Sequence, residues 1–228
     1  MMKICVYTAL CGPKSALQPQ DWLRTASGYP VDYIAFTDQA NVPAPWEPRP
    51  IEKLYSDPNR NAKRYKILPH WFLPDYDVTI WIDANFRVTR GFDELLPELL
   101  THDVVMFKHF ERDCAYDEAE VCKAMGLDDP VVIDTQMRRY VERGFPRHYG
   151  LPECGTILRK KNPNGYLMNE WWMEILSFSR RDQLSFMPTV WTYHARRYVK
   201  ILDRTARDGY YHQWTPHLSM SPLPIENV

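Results

Sequence analysis

A short apolar run, Val78 to Ile82, leads straight into the polar turn Asp83-Ala84-Asn85, and no other junction in the chain limits the possible folds as much. Such a run predicts a strand in the middle of a sheet that is covered on both faces. In open α/β sheets, ligands gather beyond the carboxyl ends of the strands. Asp83 and Asn85 therefore offer oxygen ligands that suit Mg²⁺ or Mn²⁺, and the alternative is an Asx-type turn without a ligand.

The rest of the chain alternates between strand-like and helix-like segments, which predicts an α/β fold with a mixed, mostly parallel central sheet flanked by helices. Four prolines between residues 41 and 50 predict an extended loop there, without helix or interior strand. No repeat or linker divides the chain, so we expect a single domain over residues 1–228. The predicted strands cover residues 3–10, 31–37, 78–82, 104–107, 154–158 and 199–202. The predicted helices cover 58–67, 92–100, 115–125, 131–143, 164–179 and 181–186.

Charge and cysteine content exclude several classes of function. The 28 basic and 29 acidic residues give a net charge of -1, so no overall field draws nucleic acid or an anionic membrane. No stretch predicts a signal peptide or a transmembrane segment. The five cysteines form no C-x-x-C pair, which argues against a disulfide framework and a structural zinc site. We therefore expect reduced thiols and a cytoplasmic protein, while the oligomeric state is left open.

A basic cluster lies on the helix that precedes the apolar strand. Arg60, Lys63 and Arg64 share one helix face by their spacing, and Lys66 follows shortly after. A phosphate could bind against this face. The alternative is an ordinary solvated helix surface.

Several motifs together resemble a known family. The segments Arg60 to Lys66, Phe72-Leu73-Pro74 and Trp81 to Asn85 resemble the GT-A glycosyltransferase pattern, in which a basic helix and a Leu-Pro pair precede a strand that ends in a D-x-D motif. More narrowly, the chain is similar to a glycosyltransferase-like domain family found in bacteria and in plant mucilage and pectin galacturonosyltransferases, over residues 3–190. That closer match is carried by residues 31–38, 108–114, 153–157 and 181–186.

The resemblance implies a single-domain GT-A (nucleotide-diphospho-sugar transferase) fold and a role for each matching residue. Thr8 and Asp38 would flank the nucleoside, Arg60 and Lys63 would approach the diphosphate, and Asp83 would hold the metal. Asn85 departs from the pattern, because many relatives have a second carboxylate there. Glu153 and Gly155 would belong to the acceptor-side loop. Asp182 and Gln183 would face the sugar near its reacting carbon. His212 or His217 would complete the metal site.

The function expected from this resemblance is metal-assisted glycosyl transfer from a nucleotide sugar, with UDP as carrier, to a glycan or other acceptor. Retention of configuration would follow the plant relatives, whereas inversion would make Asp182 or Glu153 the general base. Two alternatives come from other classes. One is a ceramidase-like hydrolase, and the other is a carbohydrate-binding protein without turnover, which Asn85 makes conceivable.

Overall fold

The computed structural model describes residues 2–12, 17–161 and 165–215. The described residues form nine strands and six α-helices, with a 3-10 helix over Asp93–Leu100. The strands are β1 (Ile4–Leu10), β2 (Val31–Thr37), β3 (Glu47–Pro50), β4 (Val78–Ile82), β5 (Phe86–Val88), β6 (Val104–Lys108), β7 (Pro152–Lys160), β8 (Val199–Leu202) and β9 (His212–Trp214). The α-helices are α1 (Pro58–Ile67), α2 (Pro69–Phe72), α3 (Ala115–Ala124), α4 (Pro130–Glu142), α5 (Gly165–Ser177) and α6 (Asp182–Thr192).

Seven strands form the central sheet in the order β3-β2-β1-β4-β7-β6-β8. All neighbours pair in parallel except β7, which is antiparallel to both β4 and β6. This confirms the predicted mixed, mostly parallel sheet of an α/β fold, consistent with a single GT-A-like domain. Because β7 runs the opposite way, its first residues lie at the same edge of the sheet as the last residues of β4.

The two faces of the sheet are both covered, as the apolar character of β4 predicts. Trp81 packs into the larger cluster, which includes residues of α1, α3, α4, α5 and α6. Ile80 and Ile82 point to the opposite face and pack in a second cluster with Phe86 and Phe92. All five residues of β4 are buried, so Asp83 is the first residue of this segment that reaches the sheet edge.

Most predicted elements are confirmed, and the differences have physical causes. Glu47–Pro50 is extended as expected, but it pairs with β2 as an edge strand, where prolines are tolerated. α6 continues beyond Phe186 to Thr192 because its residues 184–190 are all buried, and this packing outweighs the hydrogen bond lost at Pro188. Strands β5 and β9 were not predicted, since each has only three residues. Among the described helices, every one is too short or too polar to cross a lipid bilayer.

Candidate active site at the carboxyl edge of the sheet

Asp83 begins a tight turn that is fixed to the neighbouring strand. Its N–H donates to the Gly155 carbonyl at 2.8 Å, and its own carbonyl accepts from Phe86 N at 2.9 Å. A Cβ at position 155 would lie 2.8 Å from the Phe86 ring and 3.6 Å from Asp83 Oδ2. Glycine is therefore required at position 155 for the Asp83 turn and the Phe86 ring to pack this closely.

The Asp83 carboxylate is oriented through one of its oxygens. Oδ1 accepts from Trp81 Nε1 at 2.8 Å and from Lys66 Nζ at 3.3 Å. The side chain is 35% exposed, in contrast to the buried strand before it. Asp83 thus reaches the surface at the sheet edge with its carboxylate held in place from the protein side.

Lys66 joins Asp83 to the start of α6. Its ammonium lies 2.6 Å from Asp182 Oδ2, and Lys63 Nζ lies 2.9 Å from Asp182 Oδ1. The Lys66 side chain is only 4% exposed. These four side chains form a continuous run of alternating charge, Lys63–Asp182–Lys66–Asp83, which we call the charge network. It brings together the basic helix, the strand-end carboxylate and the acid of α6.

The charge network fixes the ionisation of its buried members. Burial alone would raise the pKa of Asp182, but the positive charges of Lys63, Lys66 and Arg181 outweigh it and hold this pKa well below its usual range. Asp182 is also the first residue of α6, where the helix dipole favours negative charge. Burial would lower the pKa of Lys66, yet Asp182 and Asp83 raise it overall. The pKa of Lys63 is lowered, because burial there outweighs the attraction of Asp182.

Glu153 lies at the same edge, at the start of β7, and is paired with Arg207. Arg207 Nε donates to Glu153 Oε1 at 2.6 Å, while Glu153 Oε2 is buried with no hydrogen-bond partner. Burial raises the pKa of Glu153, the pairing with Arg207 opposes the rise, and the charge of Asp83 adds to it. Glu153 lies two residues before Gly155, whose carbonyl accepts from Asp83 N, so both carboxylates belong to the same edge of the sheet.

Arg207 is itself enclosed by two aromatic rings. Its guanidinium lies 4.1 Å from the ring centre of Phe110 and 4.7 Å from that of Trp214. Both rings are partly exposed, Phe110 at 39% and Trp214 at 37%. We call Arg207, Phe110 and Trp214 the aromatic clamp. Aromatic faces of this kind suit the apolar face of a sugar ring, and Arg207 offers donors to its hydroxyls.

Of the predicted metal ligands, Asn85 and His212 are both buried. Asn85 Nδ2 donates to the Thr215 carbonyl at 2.8 Å, whereas Asn85 Oδ1 is buried without a hydrogen-bond partner. His212 Nε2 lies 3.0 Å from Thr156 Oγ1, and its ring packs against Phe86, Phe92 and Phe107. Burial lowers the pKa of His212 to about 3, so its ring is neutral. His217 lies outside the described residues.

The side-chain oxygens of Asp83 and Asn85 are ligands of the type that hard divalent cations prefer. Asn85 Oδ1 is an orphaned buried acceptor, and the Asp83 side chain is 35% exposed, with Trp81 and Lys66 both donating to its Oδ1. His212 is placed within an aromatic core, so the structure does not bring it to the exposed side of Asp83. With one carboxylate and one amide, this ligand set carries less negative charge than a pair of carboxylates.

The remaining predicted residues are spread along the edge. Asp38 directly follows β2 and accepts from Gly12 N at 3.0 Å and from Lys53 at 2.7 Å. Thr8 is fully buried within β1, two residues before the strand ends, and its hydroxyl has no hydrogen-bond partner. Gln183 Oε1 accepts from Arg181 at 3.3 Å, beside Asp182.

Arg60 is placed differently from Lys63. Its guanidinium donates to the carbonyls of Ile175 and Phe178 at 3.3 and 2.8 Å, at the C-terminal end of α5. Lysines and arginines commonly bind the last carbonyls of a helix in this way. Lys63 is thus the member of the predicted diphosphate-binding pair that joins the charge network.

Lys66 and Arg207 were missed as site residues by sequence reasoning. Lys66 was counted in the basic cluster, but its spacing of three from Lys63 places these two lysines on a common face that the structure turns toward the sheet. Arg64, grouped with them by sequence, pairs instead with Glu52 at 2.6 Å. No sequence signal indicated Arg207, because its partner Glu153 is 54 residues away.

Two comparisons with known proteins gave matches. The family model described as "TOD1/MUCI70, glycosyltransferase-like domain" matches residues 50–208, a span that starts and ends later than the expected 3–190. It includes the charge network, Glu153 and Arg207. A probable hexosyltransferase, MUCI70 from Arabidopsis thaliana, is 32% identical over 144 residues, which is 58% of this chain and 25% of that protein. The match thus spans about a quarter of the relative's length.

Proposed function

Because the chain belongs to the TOD1/MUCI70 glycosyltransferase-like domain family, we propose that it transfers a sugar from a nucleotide-sugar donor, with UDP as carrier, to a glycan acceptor. The observation that carries this proposal is the position of Lys66, whose ammonium contacts both Asp83 and Asp182. Through Lys66, the partly exposed strand-end carboxylate is joined to the buried α6 acid in one preorganised charged cluster at the sheet edge.

Charge that develops on a departing diphosphate would be stabilised at this edge. Asp83 and Asn85 are the residues that would hold Mg²⁺ or Mn²⁺, and a bound cation supplies Lewis-acid stabilisation of the leaving group. Lys66 and Trp81 hold the Asp83 carboxylate in one orientation before the donor arrives. Fixed charges and dipoles of this kind need no reorganisation during the reaction, which is why they contribute strongly to catalysis.

The two other carboxylates have different roles in this proposal. Asp182 is held ionised by two lysines, so it is a weak proton acceptor and instead positions Lys66 beside Asp83. Glu153 has a raised pKa, which makes it the stronger base of the two. In an inverting reaction Glu153 would take the acceptor proton. In a retaining reaction a diphosphate oxygen would take it, with Gln183 beside the positively charged sugar.

The aromatic clamp supports an acceptor position next to Glu153. A sugar ring that stacks on Trp214 would place its hydroxyls near Arg207, which Glu153 holds by the 2.6 Å ion pair. Asp38, with Thr8 behind it, would flank the nucleoside on the other side of β4, since β1 and β2 lie there in the sheet.

We also propose that residues 1–228 form one domain and that the protein is cytoplasmic. The first proposal is supported by the central sheet, because β1 and β8, which are far apart in the chain, are both strands of this one sheet. Support for the second comes from the five cysteines, all of them free thiols. Limited proteolysis tests the first proposal, since one resistant fragment is expected, and cell fractionation tests the second.

Turnover of a nucleotide sugar is the direct test. A panel of nucleotide sugars is incubated with the protein and Mn²⁺, and release of free nucleotide is followed by product detection. We expect slow hydrolysis of a UDP sugar that Asp83→Ala abolishes. The control is Asp203→Ala, because Asp203 is 95% exposed and pairs with Lys108 rather than with the site. Unchanged turnover in Asp83→Ala contradicts the assignment of this carboxylate.

Thermal stability separates the proposal from its two alternatives. Binding to the folded state alone raises the melting temperature, so UDP with Mn²⁺ should stabilise a transferase. An amidase should show no such shift. A binding protein without turnover should show the shift but release no nucleotide from any sugar in the panel.

Replacing Glu153 by Gln distinguishes the two stereochemical courses. Glutamine keeps the size of the side chain and removes its basicity. Loss of transfer with retained UDP-sugar hydrolysis is expected for an inverting enzyme with Glu153 as base. Retained transfer indicates that a diphosphate oxygen, rather than Glu153, takes the acceptor proton. NMR of the product provides an independent readout, because it shows which anomer is formed.

A further inference from the structure

A second cluster of ligand-type side chains lies at the start of α3. Cys114, Asp117 and His148 each offer one ligand atom, and these three atoms all lie within 4.8 Å of one another. Cys114 is buried, Asp117 is half-buried and His148 is exposed. A thiol, an imidazole and a carboxylate form a ligand set that suits zinc better than magnesium or calcium. None of these three residues belongs to the charge network or to the aromatic clamp.

His148 is held in position by a carboxylate, as zinc-binding histidines commonly are. Its Nδ1 lies 2.7 Å from Asp113 Oδ1, which leaves Nε2 as the ring nitrogen for coordination. The backbone at His148 has φ of 55°, a left-handed conformation that a residue with a Cβ rarely adopts. Gly150 N donates to the Asp113 carbonyl at 3.1 Å and ties this loop to the residues before α3. Local strain and a fixed imidazole are both features of a constrained functional site.

The local charge favours a divalent cation. Asp113 and Asp117 are acidic, and Arg147 is the basic residue that contacts Asp117, at 2.8 Å. When zinc binds, the Cys114 thiol loses its proton to solvent and becomes a thiolate. Three negative groups and one arginine then surround an ion of charge two, so the cluster is neutral. Arg147 also lies over the Tyr116 ring, 5.2 Å from its centre, which supports it when Asp117 turns toward the metal.

We propose that Cys114 Sγ, Asp117 and His148 Nε2 bind one Zn²⁺, with Asp113 as the positioning residue of the histidine. Ligands of tetrahedral zinc are about 3.5 Å apart, so the three side chains need to turn toward one another for the ion to bind. Asp117 is half-buried and His148 is exposed, so both side chains have room to rotate toward Cys114. The fourth position would be taken by water.

A zinc ion at this site would attach the loop before β7 to the start of α3. His148 lies four residues before Pro152, where β7 begins, and Glu153 follows at once. Cys114 and Asp117 lie at the start of α3. Zinc would therefore link α3 to the segment that carries the acceptor-side carboxylate. The absence of a C-x-x-C pair does not exclude this site, because its ligands come together only through the fold.

Cobalt provides a direct test, since Co²⁺ occupies zinc sites and a thiolate ligand gives a near-ultraviolet charge-transfer band. Titration of the full chain with Co²⁺ should produce this band with one equivalent, and Zn²⁺ should remove it. Cys114→Ser should lose the band. This variant should fold, because Cys114 is the N-cap of α3 and serine is a preferred N-cap residue. Cys11→Ser is the matched thiol control and should keep it.

Glycine variants test the histidine without disturbing the backbone. His148→Gly removes the ligand and relieves the left-handed strain, so the protein should stay folded while cobalt binding is lost. His194→Gly is the control, because His194 is the other non-glycine residue of the described chain with positive φ, at 52°. Asp113→Asn should weaken metal binding about 10- to 100-fold.

Two results would overturn the proposal. One is a Co²⁺ titration without the charge-transfer band, and the other is a band that persists in both Cys114→Ser and His148→Gly. The band does not depend on the proposed glycosyl transfer, because the ligands proposed at Asp83 and Asn85 include no thiolate. Failure at one site is therefore separable from failure at the other.

Discussion

Lys66 and Arg159 are two buried cations on the same face of the sheet, and their surroundings differ. Lys66 contacts Asp83 and Asp182, whereas Arg159 is fully buried and its Nη1 donates to the Tyr7 hydroxyl at 3.0 Å. Arg159 Nε and Nη2 have no hydrogen-bond partner. Tyr7 touches both, since its hydroxyl also donates to the Lys66 carbonyl at 3.0 Å.

The two cations differ in whether a buried charge has an opposite charge beside it. The pKa of Lys66 is raised by its two carboxylates, while burial lowers the pKa of Arg159. Lys66 lies at the carboxyl edge of the parallel strands, where a phosphorylated ligand is expected. Arg159 lies near the opposite end of β7, paired in the ladder with Thr79 of β4. Buried charge without an opposite charge is costly, so the two sites predict different responses to the same substitution.

Lys66→Met should have a larger effect than any other substitution in the charge network. It leaves the buried Asp182 with one lysine and removes the contact that orients Asp83. Breaking a buried ion pair by removing one partner costs about 3–5 kcal/mol. Urea denaturation should show this loss, and the stabilisation by UDP with Mn²⁺ should disappear. A variant of wild-type stability would mean that the charge network does not stabilise the folded state.

Asp182→Asn tests the same network through its pH dependence. The folded-state pKa of Asp182 is lowered, so its ionised form stabilises the protein above the unfolded pKa of about 3.9, and this contribution is lost as pH falls toward the folded pKa. The stability difference between wild type and Asp182→Asn should therefore be constant from pH 5 to 7 and shrink below about pH 4. Denaturant midpoints measured across this range check it. A difference that grows on acidification would show the opposite sign of the pKa shift.

Gly155→Ala should have a smaller effect that is concentrated at the site. The new methyl group would meet the Phe86 ring at 2.8 Å and press toward Asp83. Overpacking of this kind costs about 1–3 kcal/mol. Turnover should fall by more than the stability loss explains, because the Asp83 turn must shift. Gly126→Ala is the control, since its added Cβ has no atom within 4 Å, although its positive φ of 62° brings some strain. Equal turnover in the two variants would remove the link between Gly155 and Asp83.

Sequence patterns predicted the sheet well because its central strands are short apolar runs with clear ends. β2 and β8 match their predicted bounds, and β4 ends at Ile82 as expected. For the candidate site, the sequence predicted only features that lie within one strand or helix. These are Asp83 after its strand, Asp182 at the start of its helix, and a basic helix that precedes both in the chain. Which lysine faces inward depends on how α1 packs against the sheet, and no local pattern of Lys63 and Lys66 encodes that.

Contacts between residues far apart in the chain could not be predicted either, because they also depend on how the elements pack. Arg207 meets Glu153 only because β6, β7 and the segment after β8 converge at one edge. His212 has the residue type of a metal ligand, but its aromatic neighbours Phe86, Phe92 and Phe107 come from three other segments. Tertiary packing decides where such side chains lie: His212 is buried among aromatic rings, and Arg60 is bound to two carbonyls at the end of α5.

Arg159→Met should have the smallest effect, and it completes the contrast with Lys66→Met because the substituted residue is the same. Methionine fills much of the space of the arginine side chain and removes a buried charge that has no acidic partner among the described residues. Replacing buried charge by a well-packed apolar side chain is often neutral or stabilising. We therefore expect a change in the free energy of unfolding within about 1 kcal/mol, with the Tyr7 hydroxyl still bonded to the Lys66 carbonyl. Urea denaturation of the two methionine variants side by side measures this. A loss as large as that of Lys66→Met would mean that Arg159 binds an ordered anion or water, and the distinction between the two cations would fail.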